Sequence, residues 1–357
     1  MKVLLGASDP GGCGFYRMME PHRVLSAAGC DVVLDIGVQT IQCVWDGSAN
    51  VIDVDPVDAD VVVLQRPLSS HLVQAIPIMQ RHGTAVVVEL DDDFWNMDKR
   101  NAAYRDAQPS TSPKRNYQWL TRACKMADLV TVSTPALARL VPTNKVRVLR
   151  NCVPEWYLHA EMDPKAEWSF FEKYTAIVGW TGSPMTHLVD LKALGDGLTR
   201  AVRNTGSVFF TIGSPDTGPL LGFNGGESAW TPWVEPIDNY PGAIKGFDVG
   251  VVPLRMGLFN DAKSYIKGLE YASVGVPFVA SAAPEYKYLA KMGAGDIAAE
   301  RHDWEKKIRR LIDHVDYRQE RREEGLLVAT ERTYENNAWL WWEAWGDALA
   351  NYKEKKK

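Results

Sequence analysis

The feature that most constrains this chain is a series of short, β-branched apolar runs set apart by longer amphipathic stretches. Val61–Gln65 and Ala85–Leu90 are apolar at consecutive positions rather than alternate ones. Strands buried on both faces of a parallel sheet read this way. Segments 2–5, 31–35, 129–133 and 146–149 extend the series, and 72–81 between two of the runs reads as a helix. Strands separated by helices predict βαβ units and a doubly wound sheet.

The pattern pauses over 152–174, which holds Pro154, Pro164 and mixed charges. It then restarts, with strands expected at 175–180, Val208–Ile212, 249–253 and Phe278–Ser281, and helices at 190–204, 262–273 and 303–313. With 357 residues the chain is long enough for two such units. The expected fold is therefore α/β, two Rossmann-like doubly wound domains facing a cleft. The expected boundaries are 1–153 for the first domain, 154–174 for a linker and 175–329 for the second domain. A C-terminal helix over 330–352 follows. Its residues 338, 341, 342, 345 and 349 share one face, and four of its aromatics are tryptophans. So much apolar area must dock, and the expectation is packing across the junction onto the first domain.

Bulk properties exclude some classes. A net charge of −5 gives no global attraction to nucleic acid or anionic lipid. No apolar run is long enough to span a membrane, and the apolar N-terminal run is too short for a signal peptide. Cys13, Cys30, Cys43, Cys124 and Cys152 are scattered, an odd number with no zinc-like spacing. A reducing, cytoplasmic compartment fits.

The sharpest chemical signal lies at 251–281, Val-Val-Pro-Leu-Arg-Met-Gly-Leu-Phe-Asn-Asp-Ala-Lys-Ser-Tyr-Ile-Lys-Gly-Leu-Glu-Tyr-Ala-Ser-Val-Gly-Val-Pro-Phe-Val-Ala-Ser. A strand ends near Pro253, a loop follows, and a helix is expected to open near 262–264. The opening of a helix presents free N–H groups and a positive dipole end, which suits phosphate. Lys263 and Ser264 add a cation and a hydroxyl. Further along, Glu270 offers a carboxylate that can accept from the vicinal hydroxyls of a ribose.

This stretch resembles the donor-binding motif of GT-B glycosyltransferases, in particular the large retaining family-4 group (glycosyl transferases group 1). The matching positions are Asn260, Lys263, Ser264, Lys267, Glu270, Tyr271, Gly275 and Pro277. Segments 127–135, 145–151 and 177–183 also fall where the resemblance expects them. The resemblance implies transfer of a sugar from a nucleoside-diphosphate sugar, with retention of configuration, to an acceptor among glycan, protein, lipid or modified nucleic acid. It implies donor contacts at Gly12, Gly182, Ser183, Ile237, Lys263, Ser264, Tyr265, Lys267 and Glu270. No cofactor or metal is expected. One departure stands out. Many members place an Arg and a Lys just after the first strand of the second domain, and here 182–187 reads Gly-Ser-Pro-Met-Thr-His. Lys263, Lys267 or Arg255 must supply the charge, with the backbone amides of Gly182 and Ser183.

Two further loops sit at strand ends. The first is 8–17, Ser-Asp-Pro-Gly-Gly-Cys-Gly-Phe-Tyr-Arg, neither a full dinucleotide fingerprint nor a P-loop. Arg17 there, and Arg66 in the next loop, are candidate acceptor or phosphate contacts. The second is Glu89-Leu90-Asp91-Asp92-Asp93. Asp91 is a candidate acceptor contact, and Asp92 and Asp93, with Lys263, are candidate catalytic groups. The same acids read equally as a helix cap. They also resemble the Asp-x-Asp metal motif of a GT-A-like, metal-dependent transferase using Asp91 and Asp93, an alternative disfavoured because that fold lacks a second Rossmann-like half carrying the 260–281 motif. His187 stands in an expected cleft loop, more often a packing residue than a catalyst. A non-catalytic nucleotide- or sugar-binding protein on the same scaffold remains the competing reading.

Overall fold

The computed structural model describes residues 1–101, 104, 116–162 and 171–356. Residues 163–170 of the expected linker, and Lys357, lie outside the described residues.

Two parallel six-stranded sheets form, one in each half of the chain. The first contains β1 (Lys2–Ala7), β2 (Asp31–Ile36), β5 (Val61–Gln65), β6 (Ala85–Leu90), β7 (Leu129–Val132) and β8 (Val146–Val148). Its order is β2-β1-β5-β6-β7-β8, and every pairing is parallel. An antiparallel hairpin of β3 (Cys43–Trp45) and β4 (Val51–Val54), not expected from the sequence, is inserted beside it. The second sheet contains β9 (Ile177–Thr181), β10 (Val208–Ile212), β11 (Ser228–Thr231), β12 (Val249–Val252), β13 (Phe278–Ser281) and β14 (Asp296–Ala298). Its order is β11-β10-β9-β12-β13-β14, again all parallel.

The uninterrupted apolar runs are explained by the layers. In the first sheet Val3, Leu5, Val61, Val63 and Val87 face one core, while Leu4, Val62, Leu64, Val86 and Val88 face another. Helices cover both faces, so neither parity of a strand meets water. The second sheet repeats this, with Val178, Phe209 and Val251 on one side and Ile177, Val208 and Val252 on the other. One of these clusters is continuous between the halves. It runs from Val3 and Phe15 through Cys152, Val153 and Tyr157 to Leu269 and Phe278.

The chain crosses between the lobes twice, at the described part of the linker and again near residue 333. There Val153 N–H donates to Arg332 O at 3.0 Å, and Tyr334 N–H donates to Val153 O at 3.0 Å. The helical C-terminus is therefore broken. Val315–Glu331 packs on the second lobe, and Trp339–Lys355 lies on β5, β6 and β7 of the first. Ala338, Trp341 and Trp345 are buried, and Trp342 and Leu349 are packed against them, so the expected face is the docked one.

Two local expectations are corrected. The helix expected from 262 starts at Ile266, as Ile266–Ser273, after a single turn at Leu258–Asp261. The Ala262 carbonyl accepts from Thr134 Oγ1 of the first lobe at 2.8 Å, which draws it out of a helical ladder. The acids after β6 do not open a helix either. Asp93 instead accepts from the Trp95 and Asn96 N–H groups at 3.0 and 3.1 Å and from Asn96 Nδ2 at 2.8 Å, closing a turn. Among the described residues no helix is long and apolar enough to cross a membrane. All five cysteines are free thiols.

Trp345 is 1% exposed. Trp345→Ala is expected to cost about 3–5 kcal/mol by cavity formation. The urea midpoint of the whole chain checks this, and a loss typical of a surface residue would mean that the terminal helix is not docked.

Candidate functional site

In an open parallel sheet the ligand crevice lies where neighbouring strands send their connections to opposite sides. Here those points are the carboxyl ends of β1 and β5 in the first lobe, and of β9 and β12 in the second. The two face each other across a cleft with a cavity volume of ≈ 510 Å³.

The first wall is the loop after β1. A side chain at Gly14 would place its Cβ 1.8 Å from the Asp9 carbonyl oxygen, so only glycine permits this turn. A π-helical stretch, Phe15–Met19, follows and turns both Tyr16 and Arg17 inward. Arg17 is 2% exposed. It donates from Nε to Glu89 Oε1 at 2.7 Å and from Nη1 to Leu149 O at 2.5 Å and Asn151 Oδ1 at 2.7 Å. Glu89 takes a second bond from Thr131 Oγ1. Burial works against both charges. The carboxylate more than offsets this for Arg17, whose pKa is raised, whereas for Glu89 burial wins and its pKa is raised too.

The second wall is built on the turn after β9 and on Ile266–Ser273. Gly182 has φ +148°, a conformation side chains avoid, and a Cβ there would meet the Trp180 ring at 2.9 Å. Ser183 follows it. Lys267, in the first turn of the helix, donates to Thr181 Oγ1 at 2.8 Å. One turn on, Glu270 is 5% exposed on the cleft floor. Its Oε1 accepts from Tyr16 Oη at 2.7 Å and its Oε2 from Tyr240 Oη at 2.8 Å, with Lys267 Nζ at 3.4 Å. Burial and the Glu270 charge push both tyrosine hydroxyls well above their ordinary pKa, so they stay protonated and donate.

Tyr16 belongs to the first lobe and Glu270 to the second, so this contact joins them. Further contacts around the cleft do the same. Lys263 Nζ donates to Asp92 Oδ1 at 3.0 Å, Asn151 Nδ2 to Ser264 Oγ at 2.8 Å, and Thr134 Oγ1 to Ala262 O. Burial penalises the Lys263 ammonium, but the Asp92 charge outweighs it and the pKa is raised.

The structure gathers most of the sequence-predicted residues. Gly12, Gly182, Ser183 and Ile237 line the cleft. So do Lys263, Ser264, Lys267 and Glu270, and Arg17, Asp91 and Asp92 from the first lobe. Three do not. Tyr265 is 1% exposed and stacks on Tyr288 behind the wall. Asp93 is fully buried in its own turn, and burial raises its pKa despite the Asn96 bonds. Arg66 sits at φ +46° just behind the cleft, donating to Ser8 Oγ and Asp9. Burial opposes charge on neighbouring Asp91, but Arg66 and the Cys13 thiol prevail and lower its pKa, so it stays a carboxylate. Arg255 pairs with Asp98 at 2.9 Å outside the main cleft. Among the described residues no group of three or more His, Cys, Asp or Glu side chains is arranged to hold a metal ion.

Sequence reasoning missed the aromatic members. Tyr16, Trp180, Trp233 and Tyr240 all line the cleft. Trp233 stacks on Tyr240 with centroids 5.2 Å apart and planes 26° apart. The only sequence signal was their place at or beyond the carboxyl ends of strands.

This architecture is the GT-B fold. No family model matches the chain, and no curated protein matches it in sequence. Solved structures do match. A sucrose-phosphate synthase (tll1590) from Thermosynechococcus elongatus is 13% identical, covers 98% of this chain and 100% of its own, and superposes with a TM-score of 0.67. Anabaena HepE, in complex with UDP and glucose, is 13% identical over 97% of this chain and 99% of its own, with a TM-score of 0.62. WaaG, a glycosyltransferase involved in lipopolysaccharide biosynthesis, is 13% identical over 95% and 98%, with a TM-score of 0.58. At identities this low the likeness shows the fold alone. The second six-stranded parallel sheet sets aside the GT-A-like architecture considered from the sequence.

Tyr16→Phe removes one donor from a buried carboxylate that bridges the lobes. A stability loss of about 1–3 kcal/mol is expected by chemical denaturation. An unchanged value would show that the Glu270 contact does not hold the lobes together.

Proposed function

We propose that the protein transfers a sugar from a nucleoside-diphosphate sugar to a hydroxyl-bearing acceptor, binding the donor on the second lobe and the acceptor on the first. The observation that carries this reading is the wall formed by Gly182, Ser183 and the start of Ile266–Ser273, with Lys267 in its first turn and Glu270 one turn on. The Gly182 N–H, expected from the sequence to serve here, is spent on Ile212 O at 3.0 Å; the N–H groups opening Ile266–Ser273 and an ammonium suit a diphosphate. Carboxylate oxygens have four lone-pair sites between them, so Glu270 retains capacity for a ribose hydroxyl beside its tyrosines. Trp233 and Ile237, at the same end of the cleft as Tyr240, offer an apolar platform for a base.

Of the three cations considered for the diphosphate, Lys267 is best placed. Its ammonium rests at the turn after β9, whereas Lys263 is committed to Asp92 and Arg255 lies outside the cleft. The leaving diphosphate gains negative charge as the bond to the sugar breaks. Preorganised N–H groups and Lys267 stabilise it without reorganisation. On the acceptor side, Asp91 and Asp92 present carboxylates to the cleft, and Lys263 tethers Asp92. Arg17, already held by Glu89, is a fixed part of that wall.

Retention of configuration rests on the sequence resemblance. The missing Arg and Lys after β9 favour a second reading, binding of a nucleotide sugar without turnover. Slow release of free nucleoside diphosphate from the sugar donor separates the two.

A thermal-shift series with UDP, GDP, ADP and TDP tests the assignment. One of them is expected to stabilise the fold, by about 2.7 kcal/mol at a hundredfold excess over Kd. Lys267→Ala is expected to weaken that nucleotide about ten- to a hundredfold. No shift with any nucleoside diphosphate would sink the reading.

A further inference from the structure

His187 takes no part in the diphosphate site described above, yet its ring is anchored on that wall by a carboxylate. It lies on Pro184–Leu191, the helix that follows Gly182 and Ser183, and it lines the cleft. Its Nδ1 stands 2.9 Å from Asp190 Oδ2, one turn further along. Asp190 is 6% exposed and is itself fixed. Its Oδ1 accepts from the Arg255 backbone N–H at 2.9 Å and from Asn260 Nδ2 at 2.6 Å. Asn260, 8% exposed, is held in turn by a 2.8 Å bond to the Arg255 carbonyl. The Nδ1 edge of the imidazole is thus anchored to a carboxylate that cannot turn away.

The opposite edge of the ring carries Cδ2 and Nε2. It faces the turn after β9, since a Cβ at Gly182 would lie 3.7 Å from His187 Cδ2. Nε2 makes no hydrogen bond or ion pair among the described residues. With Nδ1 facing that carboxylate, Nε2 is the nitrogen left for a ligand, and it meets an anion in front as an N–H donor when the ring carries both protons. The backing carboxylate also fixes which nitrogen reaches outward, as a buried partner does for ligand-binding histidines elsewhere.

We infer that His187, oriented by Asp190, is a second cationic contact to the diphosphate, donating from Nε2–H across the turn from Lys267. The inference rests on the reading of the cleft as a nucleoside-diphosphate site and names what serves there in place of an arginine and lysine. Positions 182–186 offer no other charged side chain. When the bond from the sugar to the diphosphate oxygen breaks, its electron pair stays on that oxygen. The hydrogen bond from Nε2–H to that oxygen strengthens, with no proton transferred. His187 is then a ligand-contacting residue, and Asp190 a positioning one.

Calorimetric titration with two probes tests this, the nucleoside diphosphate that stabilises the wild-type protein most and the nucleoside with the same base. His187→Ala is expected to weaken the diphosphate about ten- to a hundredfold and to leave the nucleoside unchanged. His187→Lys, which restores a cation, is expected to recover most of the loss. Asp190→Asn, which keeps the acceptor but removes the charge, is expected to lower diphosphate affinity alone. Unchanged diphosphate affinity in His187→Ala overturns the inference and leaves the cleft reading standing. So does an equal loss for both probes, which marks a packing role against Trp180. A wild-type protein that binds no nucleoside diphosphate overturns both.

Discussion

The structure turns on one buried carboxylate. Glu270 sits at the floor of the cleft with a tyrosine hydroxyl from each lobe on its two oxygens. A carboxylate removed from water without partners is expensive, so each hydroxyl that satisfies it also locates the element that carries it. Tyr16 brings the loop after β1 to the second lobe. Tyr240 fixes the loop between β11 and β12 and, through its ring, the position of Trp233. The separation of the two walls is therefore set by hydrogen-bond length, and the apolar cluster running between the halves closes around it.

That arrangement divides charge across the cleft. Carboxylates of Asp91 and Asp92 come from the first lobe, and the ammonium groups of Lys263 and Lys267 come from the second. Each charge near the junction already has a partner: Arg66 beside Asp91, Asp92 on Lys263, Thr181 and Glu270 on Lys267. A ligand entering the cleft exchanges partners instead of meeting bare ions. This lowers the cost of an empty site and makes Lys263 a group whose partner can change when the lobes move.

Much of the fold was legible in the chain. Apolar runs such as Val-Val-Val-Leu at 61–64 cannot face water on either side, so a parallel sheet with two helical layers follows from the run itself. Ala338, Trp341 and Trp345, at helical spacing, revealed a face that had to dock. The cleft's polar members were legible for a simpler reason, since loops after parallel strands collect there. The start of the helix at Ile266 was not, because Thr134, more than a hundred residues away, takes the Ala262 carbonyl. The turn at Asp93 escaped for a local reason. An acid after a strand caps a helix or a loop equally well, and nothing in Asp-Asp-Asp distinguishes the two.

The sequence by itself determined what periodicity and local stereochemistry control: two α/β units, glycines where backbone must pass close, and a helix carrying Lys267 and Glu270 one turn apart. Only the tertiary structure decided which side chains those groups meet. Arg17 turned inward to Glu89, Glu270 gained two tyrosines, and His187 gained Asp190 with Asn260 behind it. Apart from the short step from His187 to Asp190, these pairings join residues tens to hundreds of positions apart. A partner's identity depends on the register of strands and the angle between lobes, and neither is written in any local stretch of chain.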